Sequence, residues 1–369
     1  MNALYFFILF ISFSVQAVRL DKVNLPKQGA YEFGSERSVT IPNLKKGCVD
    51  GVVERAFNRI VGATNTQQDE FITSVLVYYK GKPCLSYIAN GHGDKNLYTL
   101  NSVTKSITSI LVGVAIDKGF IDGVGDAASK YISVSYNFLD EITIHELLTM
   151  SANIKWNNND VFVNGEVNLN SLPMEFMYHK NPLKFISTLS RKSVNSFEYN
   201  EYSAYLLGKI IEEASGLPIH IFAKKYLFDP LDINYFEWTM LGDKSANMSG
   251  GLWLTTWDVA KIGQLIMNRG VWRSEQVVSS GWVDVSTKAH TKTAMSWDSY
   301  GYLWWLKRQI INGKEFELIS ARGTGGQTVI IMPEQEVVAV ITGNYFPEKM
   351  LGHKDFDRHF IMRFLTRYF

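Results

Sequence analysis

The apolar and polar positions change period several times along the chain, and each change marks an element. Positions 52–61 carry helical spacing. From Phe71 to Tyr79 the residues are β-branched and aromatic, Lys80-Gly81-Lys82-Pro83 turns the chain, and Cys84 to Ile88 is the return strand, so a hairpin is predicted. At Ser102 the period shifts again. Ile107, Ile110, Leu111, Val114 and Ala115 follow a helical stripe up to Lys118, and Gly119 stands where a left-handed cap is wanted. Ser203 is expected to cap a second amphipathic helix, with Leu206, Leu207, Ile210 and Ile211 as its stripe and Gly216 as its end. A helix over 256–267 follows. Strands are then predicted over 303–311, 315–319, 328–332 and 337–342, the last two joined by Pro333-Glu334-Gln335-Glu336. Phe356, Phe360, Phe364 and Leu365 place a terminal helix.

Strands at both ends with helices between them predict an α/β (α+β) architecture. Segments 51–120 and 250–369 build one α/β domain with an antiparallel sheet, and 121–249 is a mainly helical insertion. Residues 1–17 are apolar and end in Val15-Gln16-Ala17, which predicts a cleaved signal peptide and a secreted or periplasmic protein. Their apolar core of about ten residues is short of the roughly twenty needed to cross a membrane. Residues 18–50 form an N-terminal extension. No later segment has a spanning length without charge.

Composition narrows the function. With 37 basic and 36 acidic residues the formal charge is +1, and no long run of one sign exists to attract nucleic acid or anionic lipid. At 46% hydrophobic the chain has material for a large core. Export would permit a disulfide between the two cysteines, Cys48 and Cys84, although two unpaired buried thiols fit the sequence equally. The seven histidines do not cluster with cysteines or acids at metal spacing, and His145-Glu146 lacks a second histidine, so His145 is a helix-start residue rather than a ligand. No Gly-x-Ser-x-Gly elbow and no phosphate-binding glycine loop occur.

The sharpest chemistry lies at the start of the apolar helix, in Ser102-Val103-Thr104-Lys105. Residues three apart share a helix face, so the amine can reach the hydroxyl, and a helix start offers free N–H groups and positive potential. A serine is unreactive until a base takes its proton, and a lysine serves when burial lowers its pKa. The alternative is a capping serine and a lysine reaching for solvent.

With the helix after it, Ser102-Val103-Thr104-Lys105-Ser106 resembles the first motif of the serine β-lactamase and penicillin-binding protein superfamily, closest to the class C-like branch of esterases and 6-aminohexanoate oligomer hydrolases. Thr143-Ile144-His145-Glu146-Leu147-Leu148-Thr149-Met150 and Gly250-Gly251-Leu252-Trp253-Leu254-Thr255-Thr256 resemble further conserved stretches, and the likeness runs from roughly Val52 to Asn344. The resemblance makes Tyr199, in Phe197-Glu198-Tyr199-Asn200-Glu201, the general acid/base of the second motif. Where that motif has asparagine this chain has Glu201, with Asn200 one residue early, which puts the amide contact used for β-lactams in doubt. The third motif, Lys-Thr-Gly, has no clean copy. Its equivalent is Ser320-Ala321-Arg322-Gly323-Thr324-Gly325-Gly326-Gln327, so Gly323, Thr324 or Gly325 would supply an N–H to an oxyanion hole with that of Ser102. Adjacent Trp304 and Trp305 are expected to put one ring in the core and one outside.

The resemblance implies acyl transfer to water through a covalent acyl-enzyme, without metal or cofactor. An ester, amide or β-lactam-like small molecule is the expected substrate, with esters and amides favoured by the altered motifs. The alternatives are a penicillin-binding sensor and a D-alanyl-D-alanine carboxypeptidase acting on a peptidoglycan peptide.

Overall fold

The computed structural model describes residues 30–33, 45, 48–64, 72–133, 136–158, 162–163, 166–168, 170–293, 299–343 and 360–369. The expected signal peptide, most of the N-terminal extension, Phe71 and Phe356 lie outside them.

An eight-stranded antiparallel sheet forms the centre, with strands from both ends of the chain. From one edge to the other it runs Thr291–Lys292, Ser299–Tyr300, Trp305–Ile311, Lys314–Gly323, Gln327–Met332, Val337–Gly343, Ile72–Tyr79 and Lys82–Ile88. The join between the two ends is the pairing of Val337–Gly343 with Ile72–Tyr79, in which Val340 faces Leu76 and Val338 faces Tyr78. Both central strands are apolar on both faces, as a sheet covered on each side requires.

Alternation assigns the two covers. Thr256–Met267 packs against the middle strands with Gly263 on Val338. Tyr79, opposite Val337 and so on the other face, meets Phe369 at 5.0 Å. There the terminal helical segments Phe360–Leu365 and Thr366–Tyr368 pack on Gly51–Thr64, where Phe57 and Phe364 lie 5.7 Å apart. The Val103–Asp117 helix, buried from Val103 to Ala115, runs between the strand Lys314–Gly323 and the helix Tyr202–Ser215. Gly119 and Gly216 take the expected positive φ, 73° and 70°.

Several expectations change. Ser203 does not cap the helix 202–215: Glu201 holds the cap position without a side-chain bond, and Asn200 just before it serves the helix start, its Oδ1 accepting from the Ser203 N–H at 2.8 Å. Leu303 is not in a strand; it sits at φ 61° ahead of Trp305–Ile311. Trp304 and Trp305 are both buried, at 1% and 7% exposure, because the chain turns at Leu303 instead of running straight through the pair. The strand predicted over 315–319 extends to Gly323 and so contains the first half of the glycine-rich stretch.

A second sheet was not anticipated. Ala30–Phe33, Phe236–Thr239, Leu252–Leu254 and Tyr98–Thr99 pair in that order, joining residues more than 200 positions apart. The stretch 121–249 contains the helices Ile144–Leu148, Leu172–Tyr178, Pro182–Ser187, Tyr202–Ser215 and Ile219–Ala223, and also contributes the strand Phe236–Thr239 to this sheet. Cys48 and Cys84 form a disulfide, with Cα atoms 5.5 Å apart, tying the segment just before the helix Gly51–Thr64 to the edge strand Lys82–Ile88.

Candidate active site

The site is assembled at the N-terminal end of Val103–Asp117. Asn101, at φ 46°, makes the turn into the helix, a left-handed conformation that asparagine tolerates better than most residues. Its Nδ2 donates to the Thr324 carbonyl at 2.7 Å and its Oδ1 accepts from Thr99 Oγ1 at 3.2 Å, so the turn is clamped from two sides. Ser102 stands at the cap position with its hydroxyl uninvolved in capping. That removes the structural alternative for this serine.

Lys105 is 1% exposed and is one of the largest fully buried side chains of the molecule. Its Nζ donates to Ser102 Oγ at 3.1 Å and to the Ser249 carbonyl at 2.8 Å. Glu201 Oε1 lies 3.8 Å away, and the ring of Tyr199 is 4.8 Å from the nitrogen. A lysine reaching for solvent is therefore also ruled out. Ser249 is itself fixed by Asn247 Oδ1, which accepts from its N–H at 3.0 Å and from its hydroxyl at 2.7 Å.

Tyr199 is partly buried against an aromatic wall of Trp305 at 5.4 Å and Tyr300 at 6.4 Å. Its carbonyl accepts from Asn158 Nδ2. Complete burial pushes the Tyr300 phenol well above its ordinary value, which keeps that neighbour neutral. Glu201 Oε2 accepts from Trp156 Nε1 at 2.9 Å; burial pushes its carboxyl up, against the opposing pull of Lys105 and of that N–H.

The glycine-rich stretch forms the opposite wall. Gly323 ends its strand paired with Gln327, and a Cβ there would overlap the Leu100 carbonyl oxygen, so only glycine lets the strand approach the turn before Ser102. Thr324 is exposed, and Gly325 makes the turn at φ 86°. One expectation about the helix start changes: the N–H groups of Val103, Thr104 and Lys105 are already bonded to the carbonyls of Leu100, Asn101 and Ser102.

The structure thus brings Ser102, Lys105 and Tyr199 together and sets Gly323, Thr324 and Gly325 beside the turn. Sequence reasoning did not find Ser249, Asn101, Asn247 or Trp156. Ser249 acts through its carbonyl and carries no side-chain signal, although it immediately precedes the Gly250-Gly251 pair of the family-like stretch.

Away from this site, Thr143 caps Ile144–Leu148 in a reciprocal pair with Glu146, and His145 Nδ1 meets Tyr302 Oη at 2.9 Å. Among the described residues no group of three or more His, Cys, Asp or Glu side chains is placed to hold a metal ion, and no helix is long and apolar enough to cross a membrane.

A buried lysine amine hydrogen-bonded to a serine hydroxyl, with a phenol beside it, is an arrangement able to activate that hydroxyl as a nucleophile. Comparison with known proteins agrees. Residues 57–361 match the family described as Beta-lactamase. The chain is 24% identical over 290 residues to the 6-aminohexanoate-dimer hydrolase of Paenarthrobacter ureafaciens, covering 74% of this chain and 72% of that protein. Among solved structures, a putative 6-aminohexanoate-dimer hydrolase from Bacillus anthracis superposes with a TM-score of 0.66 at 16% identity, covering 81% of each chain. A penicillin binding protein from Bacillus halodurans does so at 0.61 and 16%, covering 81% of this chain and 98% of that one. The chain belongs to the beta-lactamase family and is a serine hydrolase.

Proposed function

We propose that the protein hydrolyses a small amide or ester through a covalent acyl-enzyme on Ser102. The observation that carries this is the 3.1 Å contact between Lys105 Nζ and Ser102 Oγ, made by a lysine that is 1% exposed. Lys105 takes the hydroxyl proton as Oγ attacks the acyl carbon. Tyr199, beside the amine, relays it to the leaving group. With the next three N–H groups of the helix occupied, the Ser102 N–H and one from Gly323, Thr324 or Gly325 hold the oxyanion. Water then releases the acyl group.

Three features favour an amide or ester over a β-lactam: Glu201 stands where the motif has an asparagine amide, the Lys-Thr-Gly motif is absent, and the matched relative is named a 6-aminohexanoate-dimer hydrolase. Export is part of the proposal: the sequence of residues 1–17 suggests it, and the Cys48–Cys84 disulfide is of a kind that persists in oxidising compartments. Steady-state cleavage of p-nitrophenyl butyrate and of the matching anilide tests the activity. Sustained turnover that Ser102→Ala abolishes is expected; a burst stopping at one equivalent would point instead to a penicillin-binding sensor.

A further inference from the structure

A lysine that is to take a proton must first have shed one, and an adjacent carboxylate ordinarily opposes this by holding the ammonium charged. Lys105 has such a neighbour. Glu201 Oε1 stands 3.8 Å from its Nζ, too far for a hydrogen bond, in a site where the two side chains are 1% and 16% exposed. An ion pair at that separation pays desolvation on both members with little geometric return. Moving one proton from the ammonium to the carboxylate removes both charges.

We propose that Glu201 is a positioning residue that stores the proton Lys105 sheds, so that the pair shares one proton and reaches the neutral amine without exchange with bulk water. This rests on the roles given above to Ser102 and Lys105. Burial, which pushes the Glu201 carboxyl up, acts in the required direction.

Once the two side chains close from 3.8 Å to hydrogen-bond contact, a proton leaves Lys105 Nζ for a Glu201 oxygen, leaving a free amine and a carboxylic acid. Ser102 Oγ bonds to the acyl carbon while its proton passes to Nζ, and the carbonyl electron pair becomes the oxyanion. When the bond to the leaving group breaks, the ammonium returns that proton to the departing nitrogen or oxygen, through Tyr199. Glu201 keeps its own proton throughout.

Two groups face the Glu201 carboxyl: Lys105 approaches from the nucleophile's helix and the neutral Trp156 N–H from the stretch before 158. Glu198 turns elsewhere, to Lys192 at 3.1 Å.

The sign of a pH shift separates storage from simple pairing. If Glu201 only held the ammonium, removing its charge would ease deprotonation of Lys105 and move the acid limb of kcat/KM to lower pH. If it stores the proton, Lys105 must release to solvent without it, and the limb moves up. For Glu201→Gln, whose amide oxygen can still accept from Trp156, the limb is expected to rise by about one pH unit; kcat/KM for p-nitrophenyl butyrate then falls roughly tenfold near pH 6 and stays within about twofold near pH 9. Glu201→Asn should do the same, and Glu201→Asp, which keeps a carboxylate, should restore the wild-type limb. Thermal midpoints identify any variant that fails to fold, and the remaining two carry the test. An acid limb unchanged or lowered in the amide variants overturns the proposal. Turnover surviving in Ser102→Ala would overturn the underlying mechanism instead.

Discussion

Among the described residues two lysines are buried, and they sit in opposite circumstances. Lys261, 7% exposed, pairs with Asp258 at 2.8 Å one turn back on its own helix and donates to the Asp232 carbonyl at 2.8 Å. Lys105 spends one donor on a backbone carbonyl and one on a serine hydroxyl, and its nearest carboxylate is a full ångström farther off. A charge closed into a tight pair is a structural device, whereas a loosely held one beside a hydroxyl is available for proton transfer. Residue type and burial are the same; what distinguishes the two is the quality of pairing.

The contrast breaks most visibly under single replacements. Lys105→Ala is expected to lose about a thousandfold or more in kcat/KM while its unfolding midpoint stays near wild type, since what it leaves is a hydroxyl and a carbonyl rather than a close-paired charge. Lys261→Ala should do the reverse, keeping kcat/KM within about threefold while losing roughly 3–5 kcal/mol of stability, because Asp258 is stranded in the core. Replacing both members, Asp258→Leu with Lys261→Met, should recover most of that loss. Steady-state kinetics and urea unfolding on the same preparations decide the matter. If Lys261→Ala proved inactive yet stable, pairing quality would not discriminate between the two sites.

A second step down in size is Tyr199→Phe. It keeps the ring against Trp305 and removes only the proton relay, so a loss of about a hundredfold in kcat with unchanged stability is expected. A loss below about threefold would leave Lys105 to protonate the leaving group alone.

The smallest effect concerns a partly buried titratable group, His145. Burial and the neighbouring His290 hold the His145 imidazole below its usual 6.5. The folded chain thus binds that proton less well than the unfolded one, and the stability tied to the neutral ring is complete above 6.5 and declines as the pH falls through the folded value. The melting temperature should drop modestly from pH 7 to pH 5, and His145→Gln should flatten the slope. An unaltered slope would make the contact with Tyr302 indifferent to charge.

Much of this was legible in the sequence where the signal is local. The stripe from Ile107 to Ala115 fixed the long buried helix, and the tetrapeptide at its head marked hydroxyl and amine together, because spacing on one helix is readable from one segment. Long-range pairing was not. The sheet joining Ala30–Phe33 to Phe236–Thr239 is built of strands two to four residues long whose partners lie far away in the chain. At the site, the departure at Glu201 was visible as a letter, but its approach to Lys105 depends on how the loop before Tyr202 is held by Asn158 and Trp156, neither of which carries a pattern. The Ser203 cap failed for a related reason: Asn200 and Ser203 are both good capping residues, and packing of the loop chose between them.

The most direct test of the account is peptide-level mass mapping after exposure to a fluorophosphonate. One adduct on Ser102 is expected in the wild type and in Lys261→Ala, with none in Lys105→Ala under the same exposure and none in Ser102→Ala. A full adduct on Ser102→Ala, carried by any other residue, would contradict it.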